Sequence, residues 1–319
     1  MLLAGKTAEV LCVGRVGVDV YPTQIGVPLE DVETFGKFLG GSAANVAVAA
    51  ARHGRRTALI SKTGNDPFGR FVHSKLRQLG VDDCFVGLES GSPTPVTFCE
   101  IFPPDTFPLF FYRTHTSPDL RLRADAMPVE HIAQAGVFWA TLTGCSAEPS
   151  REAHFAAWKV RGRSPNTVLD LDYRPKFWPR GGAREQARAA LALCTVAVGN
   201  REECQVATGE SDPVRAARAL LDLGVELAVV KRGPAGALAM TAEQVVDVPG
   251  QRVEVVNGLG AGDAFGGALC HGLLAGWDLE RCLRFANAAG GLVAGRLECS
   301  PAMPVTAEVE AALADAADA

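Results

Sequence analysis

The sequence predicts an α/β protein, with a mostly parallel central sheet covered on both faces by helices and a small accessory β-sheet. Three observations lead there. Short apolar runs such as Val168-Leu169-Asp170-Leu171 and Leu227-Ala228-Val229-Val230 alternate with helix-like stretches, as strands buried on both faces of a parallel sheet do. One region breaks the alternation with two adjacent β-rich runs around a proline turn, which sets a hairpin apart from the main sheet. The length, 319 residues, suits one large α/β domain over 1–319, with at most a small appendage.

The elements follow in order. The first strand is expected over 9–14. The Ala-rich segment 41–53 reads as a helix ended by Gly54, its small residues suited to close packing on a sheet. A strand over 57–61 follows. Phe68, Phe71, Val72, Leu76 and Leu79 then recur at helical spacing, with Gly80 as the stop. Further strands are expected over 137–140, 168–171, 196–198 and 227–230. Helices are expected over 151–160, 183–193, 201–208 and 214–223, and a surface helix after Thr306. The hairpin pairs 94–102 with 109–113 through Pro103-Pro104-Asp105-Thr106. The segment 16–38 lacks a helical period and is free to join it. A sheet built from two excursions, about 15–38 and 92–115, would make a lid.

Composition excludes several classes. A net charge of -5 argues against a general nucleic-acid binder. No run of 18 apolar residues predicts a membrane span, and the apolar stretch at residues 1–6 is too short for a signal peptide. Nine scattered cysteines with no C-x-x-C pair read as buried free thiols of a cytoplasmic protein. The six histidines have no metal-binding spacing.

The most informative segment is Asn257-Gly258-Leu259-Gly260-Ala261-Gly262-Asp263. The β-rich run Val253-Glu254-Val255-Val256 precedes it, and small apolar residues follow, so the turn is expected between a strand and a buried helix. The first N–H groups of a helix lack partners, and its dipole is positive there. That makes an anion site, and glycine lets a phosphate approach the backbone. A carboxylate repels a phosphate, so Asp263 suits a base that takes a proton from an attacking hydroxyl. A helix-capping Asp is the plain alternative.

Gly40-Gly41, leading through Asn45 into the Ala-rich helix, together with the glycine-rich segment ending at Asp263, resembles the ribokinase-like, or PfkB, family of sugar kinases over nearly the whole chain. One departure is Gly258, where the family usually carries Ser or Thr. That weakens any hydroxyl role at this position. A narrower resemblance, carried by residues 14–22, 29–33 and 94–104, is to the family's 5-dehydro-2-deoxygluconokinase branch of inositol catabolism.

The resemblance implies a ribokinase-like three-layer αβα sandwich with a β-sheet lid. It also implies transfer of the ATP γ-phosphoryl to a hydroxyl of a sugar acid. Asp263 would be the base, and the backbone N–H groups of Gly260, Ala261 and Gly262 the anion hole. A base of ordinary carboxylate pKa, about 3.9, is acceptable there, because phosphoryl transfer is mostly positioning and charge neutralisation. Asp19, Gly40, Gly41 and Asn45 match sugar-binding positions. Asn200 and Glu203 match an N-x-x-E motif that acts on Mg2+ and phosphate through water. Lys231, Gly233 and Gly236 form a turn near the nucleotide, and Asn257 and Asn287 complete the nucleotide side. ATP and Mg2+ are the implied cofactors, with a monovalent cation as a further candidate. Each position also has a plain reading: a strand-end carboxylate for Asp19, a helix amide for Asn45, helix-start acidity for Glu203, helix packing around Asn287.

A sugar acid needs a cation, and Arg offers bidentate geometry. Arg15, Arg113 and Arg174 are the candidates. Other classes fit poorly. Gly5-Lys6-Thr7 begins too early for a P-loop, and Gly14-Arg15-Val16-Gly17 is not a dinucleotide fingerprint. Two alternatives stay open: a 2-keto-3-deoxygluconate kinase or other sugar kinase, and a non-catalytic sugar-binding regulator. The apolar lid strands predict a homodimer through the lid.

Overall fold

The computed structural model describes residues 3, 6–113 and 117–317. The chain opens with β1 (Val10–Val13), β2 (Gly17–Pro22), β3 (Phe35–Gly40), α1 (Ser42–Arg52), β4 (Thr57–Gly64) and α2 (Pro67–Gln78). Short strands β5 (Val81–Asp82) and β6 (Val86–Glu89) lead to the hairpin β7 (Val96–Cys99) and β8 (Leu109–Tyr112). Then come α3 (Val129–Gln134), β9 (Val137–Thr141), α4 (Ser150–Arg161), β10 (Thr167–Asp170), α5 (Arg180–Leu191), β11 (Val196–Asn200), α6 (Arg201–Thr208), α7 (Pro213–Asp222) and β12 (Leu227–Lys231). The last part holds β13 (Ala237–Met240), β14 (Val245–Val248), α8 (Ala261–Ala275), α9 (Leu279–Ala294) and α10 (Thr306–Ala317).

The main sheet runs β14-β13-β12-β11-β10-β9-β1-β4-β5, with β6 also paired to β4. Every pair is parallel except β12–β13 and β13–β14. Successive residues of a strand face opposite sides, and two apolar cores result. Val10, Cys12 and Trp139 pack with the small residues of α1, α8 and α9. Leu11, Val13 and Phe138 pack with α4, α5, α6 and α7. The fold is the α/β sandwich read from the sequence.

Two details differ from expectation. Val253–Val256 forms no strand: it has no ladder partner, and Val256 and Asn257 donate their N–H groups to the Ala294 carbonyl at the end of α9. The β-rich pair β13 and β14 supplies the sheet's antiparallel edge instead.

The lid is a four-stranded sheet in the order β3-β2-β7-β8. It joins two excursions of the chain through the parallel pair β2–β7. One face carries Asp19, Tyr21, Thr97 and Phe111 toward a cavity. The other carries Phe35, Phe98 and Tyr112 in edge-on contact, with Tyr112 66% exposed. Positions 114–115 of the expected lid segment lie outside the described residues. All nine cysteines are free, and only Cys84 is exposed. Among the described residues no helix is long and apolar enough to cross a membrane.

Candidate active site

The C-terminal ends of β10, β11 and β12, the start of α8 and the inner lid face converge on two adjoining cavities. Open parallel sheets bind ligands at this end. The smaller cavity, about 70 Å³, is lined by Arg15, Asp19, Asn45, Arg174 and Asp263 among others. The larger, about 510 Å³, is lined by Lys231, Gly233, Gly236, Ala261, Gly262 and Asn287, with Gly258 and the lid residue Pro104. A shallower depression of about 970 Å³ continues outward along α9 and α10.

α8 forms the wall between the two cavities. Its N-cap is Gly260 at φ 83°, and no side chain caps the helix. The plain reading of Asp263 as a cap therefore does not hold. Its N–H bonds the Gly260 carbonyl at 3.0 Å, while its carboxylate Oδ2 accepts from Asn45 Nδ2 at 2.8 Å. Lys231 brings an ammonium to the same spot: a β-carbon added to Gly262 would lie 3.3 Å from its Nζ. Burial opposes the charge on Lys231, but Asp170, Glu203 and Asp263 around it raise its pKa. The helix start and this ammonium together concentrate positive potential at one spot, as an anion site requires.

Asp263 does not keep an ordinary carboxylate pKa. Burial pushes it up to about 6, against the Asn45 hydrogen bond. Asp19, on β2, is likewise pushed up to about 6 by burial, against the Tyr21 hydroxyl that donates to its Oδ2 at 2.9 Å. Gly40 explains how Asp19 fits, because a β-carbon there would lie 2.1 Å from the Asp19 carboxyl carbon.

Arg15 and Arg174 meet across Asp172, which is 2% exposed. Asp172 Oδ1 faces Arg174 at 2.8 Å. Its Oδ2 accepts from Ser42 at 2.7 Å, Thr143 at 3.0 Å and Arg15 at 3.3 Å. Burial would raise the Asp172 pKa, but Arg174 and Arg15 pull it below the usual range. Neighbouring Asp170, buried among other carboxylates, is pushed the other way. Arg15 Nε and Arg174 Nε are buried without a hydrogen-bond partner, while other parts of both side chains line the cavity. Arg113 is elsewhere. It pairs with buried Asp119 at 2.9 Å and stacks on Phe177, and does not line the cavity.

Other expected positions serve the frame. Asn200 and Glu203 form a reciprocal capping box on α6, so Glu203 Oε2 is committed to the Asn200 N–H at 2.7 Å. Glu203 Oε1 faces Arg174 at 3.8 Å. Asn257 is fully buried and binds Leu297 O and Leu259 N–H, which shapes the turn from within. Asn287 reaches the Pro249 carbonyl at 3.3 Å and lines the larger cavity. Gly41, at φ 101°, starts α1 against Arg15 and lines the smaller cavity.

The space of the missing Gly258 side chain is taken. A β-carbon there would lie 2.9 Å from the ring of Phe107, at the tip of the lid hairpin. The sequence reading missed Phe107, Tyr21, Ser42, Thr143, Asp170, Asp172 and Ser300. Ser42, Thr143 and Ser300 have partners far away in the chain, and no local pattern marks them. Tyr21 and Asp172 each have a partner two residues away, but nothing in the sequence shows that these side chains turn into the site.

The site is thus two-layered: a larger cavity, an uncapped helix start, and a carboxylate toward a small polar pocket. A sequence profile of pfkB family carbohydrate kinases matches residues 7–306, and the chain belongs to that family. It is 32% identical to the 5-dehydro-2-deoxygluconokinase of Geobacillus thermodenitrificans (strain NG80-2), over 96% of this chain and 93% of that one. A putative ribokinase II from E. coli has the same fold, with a TM-score of 0.88 at 24% identity over 97% and 99% of the two chains. A fructokinase from Vibrio cholerae O395, bound to fructose, ADP and calcium, superposes with a TM-score of 0.84 at 27% identity over 96% and 99%.

Proposed function

We propose that this kinase phosphorylates a sugar acid, 5-dehydro-2-deoxy-D-gluconate, at its 6-hydroxyl. One observation carries the reading: the small cavity is polarised. Asp19 and Asp263 line it together with Arg15 and Arg174. Carboxylates accept hydrogen bonds from sugar hydroxyls, and a pair of guanidinium groups donates them to a carboxylate. The name of the Geobacillus relative points to the same substrate.

In this reading Asp19, Gly40 and Gly41 hold the sugar, and Arg15 and Arg174 hold its carboxylate. Asp263 takes the proton of the acceptor hydroxyl. The N–H groups of Gly260, Ala261 and Gly262, with Lys231, hold the moving phosphoryl. Gly233, Gly236 and Asn287 border the nucleotide. Asn200 and Asn257 act by shaping the frame, and Arg113 by bracing the lid. Among the described residues no group of three His, Cys, Asp or Glu side chains is arranged to hold a metal. Mg2+ keeps much of its water shell and needs few protein ligands. Glu203, through its Oε1 and water, is the carboxylate that would meet it. The ion supplies charge neutralisation on the phosphates.

The test is ATP consumption with purified protein and Mg2+ across a panel of sugar acids and neutral sugars. 5-Dehydro-2-deoxygluconate should give the highest kcat/KM. Faster turnover of 2-keto-3-deoxygluconate would favour that kinase instead. Preference for a neutral sugar would reject the arginine assignment. No phosphorylation of any sugar would favour a regulator on the same fold.

A further inference from the structure

Asn45 sits in the cavity, yet both ends of its amide are occupied by the protein. Its Nδ2 donates to Asp263 Oδ2 at 2.8 Å. Its Oδ1 meets the Ser300 hydroxyl, which lies also 2.9 Å from the Leu39 carbonyl. Ser300 is fully buried, and Asn45 is 4% exposed. Asp263 Oδ1, by contrast, has no hydrogen-bond partner among the described residues.

An amide can sit either way round, and its neighbours decide. An ionised carboxylate only accepts, so the NH2 end must face Asp263. Asn45 Oδ1 then faces Ser300, and two oxygens in contact need one proton between them. The Ser300 hydroxyl supplies it, sharing its single proton between Asn45 Oδ1 and the Leu39 carbonyl. Reversing the amide would set oxygen against the Asp263 carboxylate.

We propose that Ser300 and Asn45 are positioning residues: Ser300 fixes the amide of Asn45, and Asn45 holds one oxygen of Asp263 so that the other faces the acceptor hydroxyl. The pair also favours the ionised form, since a hydrogen bond donated to a carboxylate stabilises its charge. Asp263 is faced as well by Asp19 from β2, Asp170 and Asp172 from the end of β10, Arg174 beyond it, Lys231 from β12 and Cys299. Asn45 is the strongest influence holding the Asp263 pKa down. The proposal rests on Asp263 being the base.

The experiment is the pH profile of kcat/KM for wild type, Ser300→Ala, Asn45→Leu and Asp263→Asn, with thermal melts to verify folding. Asn45→Leu should move the acid limb up by about one pH unit and lower kcat roughly tenfold, with KM for ATP unchanged. Ser300→Ala should move the limb the same way by less. Limbs unmoved in both folded variants would overturn the proposal, as would a loss confined to KM for the sugar. Near-normal turnover by Asp263→Asn would reject the base assignment itself. Should Asn45→Leu not fold, Ser300→Ala decides, since it removes a single buried oxygen.

Discussion

Asp263 and Asp19 share one electrostatic problem: two carboxylates with little water. Each is pushed up to about 6, chiefly by burial. A base must be ionised to accept a proton, so kcat/KM should be flat above this range. It should fall about tenfold per pH unit below it, which a stopped-time assay from pH 5 to 8 measures. Stability runs the other way. The folded state binds these protons more readily than the unfolded chain, so both groups favour folding as the pH drops from about 6 toward about 4. Asp172 has the opposite sign: its contribution is lost below the ordinary carboxylate range. Asp263→Asn should lower kcat at least roughly 10²-fold while ATP affinity, read by calorimetry, stays within about twofold. Arg174→Lys keeps the charge but loses the planar fork. It should raise KM for the sugar acid by about tenfold more than for a neutral sugar.

At the scale of elements, the crossing of α1 and α8 is set by small residues. A β-carbon at Gly267 would lie 2.3 Å from Ala49 Cβ and 2.6 Å from the Ala50 nitrogen. Gly267→Ala gains about 1 kcal/mol in helix propensity. The clash falls on backbone that cannot rotate away, and overpacking costs about 1–3 kcal/mol, occasionally more. The net should be destabilising, seen as a lower denaturant midpoint at unchanged slope. The Ala-rich composition of α1 made this close packing legible before any coordinates. The strands buried on both faces were legible for a similar reason, since burial leaves an unbroken apolar run. Val253–Val256 misled because β-propensity reports a fit to a pleated surface, not the presence of a partner strand. In the fold that partner is the carbonyl end of α9.

At the scale of the molecule, the glycine-rich cradle and Asp263 were readable because they are contiguous. The ring of partners was not. Ser42 and Asp172 lie 130 residues apart, and Asn45 and Ser300 lie 255 apart. Sheet order and the packing of α1 bring them together. The lid has a consequence for assembly. Its outer face exposes Phe35 at 40% and Tyr112 at 66%, and exposed aromatic surface favours association. The chain is expected to sediment as a dimer at micromolar concentration, and Tyr112→Glu should shift it toward monomer. A wild-type monomer at all concentrations would remove the lid interface.

The distribution of sulfur gives the protein a built-in gauge of its own opening. Cys84 is alone at the surface, and burial with the neighbouring Asp82 pushes its thiol up to about 12, so a thiol dye should react slowly with about one equivalent of native chain and reach the other eight groups only as the two cores come apart. The labelling rate would therefore count breathing events, and a bound nucleotide or sugar that clamps the structure should slow the later equivalents and leave the first untouched.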